Sequence, residues 1–231
     1  MAQTATIYHG SQLIIRMPVF GEGNPRNDYG LGFYCTHEIS LAKEWACTEE
    51  SNGYANQYEL DLSDLSIIHL SGADYNILNW LAVLVANRTF RISNDVAAEG
   101  KAFLLEKFLP EVKTFDIIIG YRANDSYFSF ANAFLNNTLS LTQLEKAMYL
   151  GNLGEQTVLK SRKSFEHIRY VRSESAERDI FYPMKTARDR EARLAYRRER
   201  GQQRVADSVY LMDILRGGWN SDDARIRRDL S

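Results

Sequence analysis

Three short stretches hold the residue types best able to act on a small polar ligand. In YHGS, residues 8–11, His9 follows a β-branched run and is followed at once by Gly10 and Ser11. A histidine at a strand end can offer a ring nitrogen to a hydroxyl, and an adjacent glycine lets backbone approach a ligand closely. In GLGFYCTHEISLAKEWA, residues 30–46, Gly30 and Gly32 precede Tyr34, and Trp45 lies 11 residues beyond it. A strand end and the third turn of the following helix can place two aromatics around one slot, which suits a flat ring. In LGEQTVLKS, residues 153–161, Glu155 and Gln156 open an apolar run. Strand neighbours face opposite sides, so only one of the two can point into a given cleft. Arg122, in GYRANDSY, has the geometry to bind phosphate; the competing reading is a loop pair with Asp125. Asp28 and Tyr29, in the loop before Gly30, are placed to cover a ligand. His37, His69 and His167 read as surface or strand residues, and no metal-ligand spacing is present.

These residues need elements to hold them. Residues 4–8 read as a strand, and the glycine-rich loop GEGNPRNDYGLGF follows an extended SQLIIRMPVF. Thr36 reads as the N-cap of a helix running to about Glu50, with Ile39, Ala42, Trp45 and Ala46 on one face and Glu38 and Glu44 outside. NQYELDLS alternates Tyr58, Leu60 and Leu62 against Gln57, Glu59 and Asp61, a half-buried strand, and SIIHL is another. Helical spacing appears over 74–88 and 96–108, where Pro110 stops the second helix. FDIIIGY reads as a buried strand, and two further helices follow, the second capped by Ser140. GEQTVLKS and EHIRYVRS return to strand character, and the chain from about 174 is helical and polar, with its last dozen residues expected to fray. The order of strands, helical insert, strands and helical tail predicts an α+β fold.

The 231 residues are 45% apolar and 25% charged, which allows one domain with a sizeable core and a helical appendage. A net charge of −2 gives no global field toward nucleic acid or anionic membrane. Cys35 and Cys47 make no disulfide framework, so a reducing compartment is expected. The opening MAQTATIYHG has no basic stretch before an apolar core, and the longest apolar run, residues 77–86, is half of the ~20 that a membrane span needs. A soluble, cytoplasmic protein is predicted.

Taken together, YHGS, GLGFYCTHEISLAKEWA and LGEQTVLKS resemble the ADP-ribosyltransferase superfamily, in the His-Tyr-Glu branch that includes the poly(ADP-ribose) polymerases. With NDYGLGFYCT and DIIIGYRANDSYFSFA, the likeness extends over residues 5–172 to a bacterial family of ADP-ribosyltransferase-like proteins often encoded beside small antitoxin-like partners. The resemblance implies a split two-sheet core over 1–172, a helical insert at about 73–150 and a helical extension over 173–231. It implies NAD as co-substrate and no metal. His9 would hold the adenine-side ribose, and Gly10 backbone the nicotinamide amide, with Ser11 and Gly32 alongside. Tyr34 and Trp45 would stack the nicotinamide, and Ala42 stands where a serine often contacts the carboxamide. Gln156 would occupy the place of the catalytic glutamate, with Glu155 in the slot before it, and Arg122 would bind phosphate. A glutamine keeps a hydrogen bond to ribose but lacks charge and base function, which argues against chain elongation and leaves single transfer to an already reactive nucleophile, slow NAD hydrolysis or no catalysis.

The resemblance thus implies a mono-ADP-ribosyltransferase, the toxin of a toxin–antitoxin pair, modifying a protein or nucleic acid. Two alternatives stand beside it: a degenerate fold that binds NAD or an ADP-ribosylated partner without turnover, and an NAD-using RNA 2′-phosphotransferase. Residues 185–204 carry +5 against −7 for the rest of the chain, which would suit phosphate backbones or an acidic partner; a solvated, ion-paired helix is the plainer reading.

Overall fold

The computed structural model describes residues 3–90, 92, 94–123, 125–149, 154–201 and 208–230. In chain order the elements are β1 (Thr4–Ser11), β2 (Phe33–Cys35), α1 (Ile39–Ala46), β3 (Gly53–Asp61), β4 (Ile67–His69), α2 (Ile77–Asn87) and α3 (Asp95–Lys107). Then come β5 (Ile117–Tyr121), α4 (Asp125–Leu135), α5 (Leu141–Tyr149), β6 (Glu155–Leu159), α6 (Arg162–Glu166), β7 (Ile168–Ala176), α7 (Arg178–Gly201), α8 (Leu211–Gly217) and α9 (Ala224–Asp229). The fold is mixed α+β, and the chain divides into two compact units.

The first unit comprises residues 1–69, 112–122 and 153–188 and contains the seven strands named above. They form two sheets, one antiparallel in the order β1-β3-β7, the other in the order β2-β6-β5-β4 with β4 and β5 parallel. The alternation expected in β3 holds: Tyr58 and Leu60 are fully buried, and with Ile7, Cys35, Ile117 and Leu159 they make the core. One isolated bridge ties the sheets, Tyr8 N–H donating to the Thr36 carbonyl and Thr36 N–H to that of Tyr8. β5 is the strand expected at FDIIIGY, lying within the stretch of about 73–150 read as a helical insert. It returns the chain to the second sheet between β6 and β4, where burial on both faces suits its isoleucines.

Helix α1 is shorter than predicted. Glu38 holds the N-cap position, while the Thr36 hydroxyl accepts from Glu38 N–H. Its end at Ala46 has a local cause. The Thr48 hydroxyl accepts from the N–H groups of Glu50 and Ser51, a turn that competes with helix. Glu44, expected on the outer face, is buried, and its carboxylate is paired with Arg188 from the first turns of α7. That ion pair reverses the helical-wheel reading, because a paired carboxylate can enter the interior.

The second unit comprises residues 70–111, 123–152 and 189–231. Its central helix α2 is apolar all round, with Asn76 and Asn79 closing a capping box at its start. Ser140 caps α5 as expected, its hydroxyl accepting from Gln143 N–H. Part of the stretch expected to fray is helical, as α9. Ile226 is buried there, and the Thr142 hydroxyl donates to the Asp229 carboxylate at 2.8 Å. The extension expected from 173 begins inside β7, which runs to Ala176. Among the described residues no helix is long and apolar enough to cross a membrane. Residues 202–204 of the basic tail lie outside the described residues.

Candidate functional site

His9 sits on the edge strand β1, opposite Asn56 of β3. Its ring stacks on Phe33 with centroids 4.4 Å apart, and its Nδ1 lies 2.7 Å from the Tyr34 carbonyl oxygen. A carbonyl only accepts, so Nδ1 carries the proton and Nε2 of the neutral ring keeps its lone pair. Burial pushes the His9 pKa below 6.5, opposed by the weaker effect of the Tyr34 carbonyl. His9 is therefore an acceptor, suited to a hydroxyl.

The neighbouring backbone is also available. Tyr8 directs its N–H and C=O away from β3 to Thr36. Antiparallel alternation then turns those of Gly10, two residues on, to the same open edge. Gly10 also lies hard against α1, where an added Cβ would fall 1.9 Å from the Ala42 carbonyl oxygen. The Ser11 hydroxyl donates to the Leu13 carbonyl at 2.5 Å and accepts from Asn56 Nδ2. Asn56 is fully buried, and its side chain also accepts from Ile15 N–H and Ser173. It organises residues 9–15 and was not singled out from sequence. The signal was there: an amide in phase with the inward-facing Tyr58 and Leu60.

Tyr34 staples the glycine loop. Its hydroxyl donates to the Gly30 carbonyl at 2.6 Å and accepts from Tyr29 N–H at 3.0 Å. Gly30 has φ +72°, the left-handed region that favours glycine. The close approach at Gly32 is to the neighbouring strand, since an added Cβ would lie 2.8 Å from the Leu159 carbonyl oxygen. Lys160, at the end of β6, donates its Nζ to the carbonyls of Tyr29 and Leu31, and burial pushes its pKa down to about 8. This lysine too was missed; an amine just after a buried strand was its only trace.

Asp28 and Tyr29, read from sequence as placed to cover a ligand, pack into the interior of the first unit. Both are buried: the Tyr29 hydroxyl donates to the Tyr121 carbonyl at 2.6 Å, and Asp28 accepts from Gln156 Nε2 at 3.0 Å. Tyr34 is the cross-strand partner of Val158, so Gln156, two residues before Val158, shares the Tyr34 face of the sheet. Glu155 points the other way and meets His69 at 3.1 Å near the surface. Trp45 and Arg122 come together, the guanidinium carbon 4.4 Å above the indole ring. Trp45 Nε1 is buried with no hydrogen-bond partner among the described residues. The Asp125 side chain, the alternative partner for Arg122, lies outside the described residues.

The fold thus gathers His9, Gly10, Tyr34, Gln156, Arg122 and Trp45 into one unit and turns Glu155 away from the Tyr34 face. A family model described as a protein of unknown function (DUF3990) matches residues 5–170. The chain belongs to this family. The matched DUF3990 span carries all of the residues just named. No curated protein and no solved structure matches the chain. Among the described residues no group of three or more His, Cys, Asp or Glu could hold a metal ion. A cavity of about 300 Å³ in the same unit, lined by Phe20, Leu31, Gly32, Lys160 and Phe165 among others, includes none of His9, Tyr34, Trp45, Arg122 or Gln156.

Proposed function

We propose that the chain is an NAD-dependent mono-ADP-ribosyltransferase, the toxin of a bacterial toxin–antitoxin pair, acting in the cytoplasm with a small antitoxin as partner. The observation that supports the reading best is the meeting of three blocks far apart in sequence. His9 of β1 bonds the backbone of Tyr34 in β2, and Gln156 of β6 shares the Tyr34 face. In this reading His9 Nε2 accepts a ribose hydroxyl, and the open-edge backbone of Gly10 meets the nicotinamide carboxamide. Trp45 stacks the nicotinamide ring once Arg122 turns from the indole to the NAD phosphates, and Gln156 holds the reacting ribose. Transfer passes through an oxocarbenium-like state, so catalysis consists of placing the ribose and stabilising developing positive charge. One observation favours the second reading, a binding module without turnover: residue 156 is an amide where the resemblance calls for a carboxylate.

The test is nicotinamide release from NAD by purified protein, with and without bacterial lysate. Release that needs lysate and falls at least ~100-fold in His9→Ala and Gln156→Ala, but under about threefold in Glu155→Ala, is the expected result. NAD binding without release in any condition favours the binding module.

The His9 assignment also sets a pH dependence. Protonation removes the Nε2 acceptor, and the folded-state pKa lies below 6.5. NAD affinity should be flat above pH 6.5 and fall as pH drops through the folded pKa. Unfolded His9 binds its proton more readily, so stability declines over the same acid range. Calorimetric titration of NAD from about pH 8 to about pH 5 checks this; affinity that rises on acidification removes Nε2 as the acceptor.

A further inference from the structure

We propose that Asp28, acting through Gln156, supplies the negative charge that the glycosidic cleavage requires; this rests on the transferase reading above. Gln156 itself is neutral, and its amide donates to the Asp28 carboxylate at 3.0 Å. Both side chains are buried, each residue only 5% exposed. The Gln156 NH₂ faces the Asp28 carboxyl oxygen, which leaves Oε1 facing away. Asp28 therefore fixes which end of the amide is offered to a ribose hydroxyl. It also polarises that amide, making Oε1 a stronger acceptor in a low-dielectric setting.

The loop carrying Asp28 is built to hold it there. Tyr34 bonds both Tyr29 and Gly30, Lys160 bonds the carbonyls of Tyr29 and Leu31, and the Tyr29 hydroxyl bonds Tyr121. An asparagine in place of Asp28 would present the same acceptor oxygen to Gln156 without the cost of burying a charge. What the acid adds is the charge. In the step, the bond between ribose C1′ and nicotinamide nitrogen breaks, and its electron pair leaves with neutral nicotinamide. Positive charge develops at C1′, which then takes a lone pair from the acceptor or from water. The acceptor's proton passes to solvent. Asp28 is a positioning residue in this scheme, since it reaches the ribose only through Gln156.

The experiment compares wild type, Asp28→Asn and the double variant Asp28→Asn with Gln156→Glu. For each, nicotinamide release gives kcat and KM, and calorimetry gives NAD affinity. The expected result is a kcat lowered about 100-fold in Asp28→Asn with KM and affinity within about threefold. In the double variant the charge moves from one side chain to the other, and the new amide at position 28 donates the return hydrogen bond. At least ~10-fold of kcat then returns. Release within about threefold of wild type in Asp28→Asn overturns the role of Asp28 alone. Loss of affinity along with kcat, unrelieved in the double variant, also overturns it and leaves a structural bond. Absence of release from wild type overturns the transferase reading, and this proposal with it.

Discussion

Arg188→Ala is expected to lower the free energy of unfolding by about 3–5 kcal/mol, the loss typical of stripping one partner from a buried ion pair. Arg188 holds Glu44 in a two-point grip, Nε to Oε2 at 3.0 Å and an Nη to Oε1 at 2.8 Å. The Glu44 side chain is only 2% exposed, so removing the guanidinium leaves a charge with little water to replace it. The companion variant separates that penalty from lost packing. Glu44→Leu with Arg188→Met removes both charges and should recover most of the stability, because an apolar pair of similar volume often replaces a buried ion pair at no net cost. Urea unfolding of the three proteins decides the matter; a loss under about 1 kcal/mol in Arg188→Ala would mean that water already reaches Glu44. The effect also bears on the candidate site, since Glu44 adjoins Trp45 on α1. The pair ties the first turns of the basic helix to the helix that carries the indole.

Gly10→Ala is expected to cost at least the ~1–3 kcal/mol typical of overpacking. The new Cβ would lie 1.9 Å from the Ala42 carbonyl oxygen and 3.0 Å from the Ala46 nitrogen, both backbone atoms. No rotamer change relieves such a contact, so strand β1 and helix α1 must part. Ala42→Gly does not rescue it, because the obstacle is a carbonyl rather than a side chain. For a chain of this size each ~1 kcal/mol corresponds to roughly 2–4 °C, so Tm should fall by several degrees. Movement of β1 also displaces His9, and nicotinamide release should fall with Tm. A Gly10→Ala protein with wild-type Tm would show that α1 does not rest on β1 as described.

Much of the local structure is legible before the fold. The alternation through Tyr58 and Leu60 names the inner face of β3, and Ser140 caps α5 as its residue type suggests. These features depend on neighbours within a few residues, which sequence spacing encodes directly. The likeness in YHGS, GLGFY and LGEQTVL singles out His9, Tyr34 and Gln156, and the structure brings them within one unit.

Other assignments needed contacts across long stretches of chain. A helical wheel puts Glu44 outside because it cannot know of Arg188, 144 residues away. Strand alternation says that Glu155 and Gln156 face opposite ways. Pairing of β6 with β2 then puts Gln156 on the Tyr34 side, while Glu155 goes to His69. Asp28 reads as an outer loop residue on its own; its partner Gln156 stands 128 positions further on. Periodicity and residue type determined the elements and the chemistry available, because both act over a few residues. Which side chains are buried, which face each other and where a charge can be held inside are properties of distant segments packed together, and the tertiary structure alone decided them.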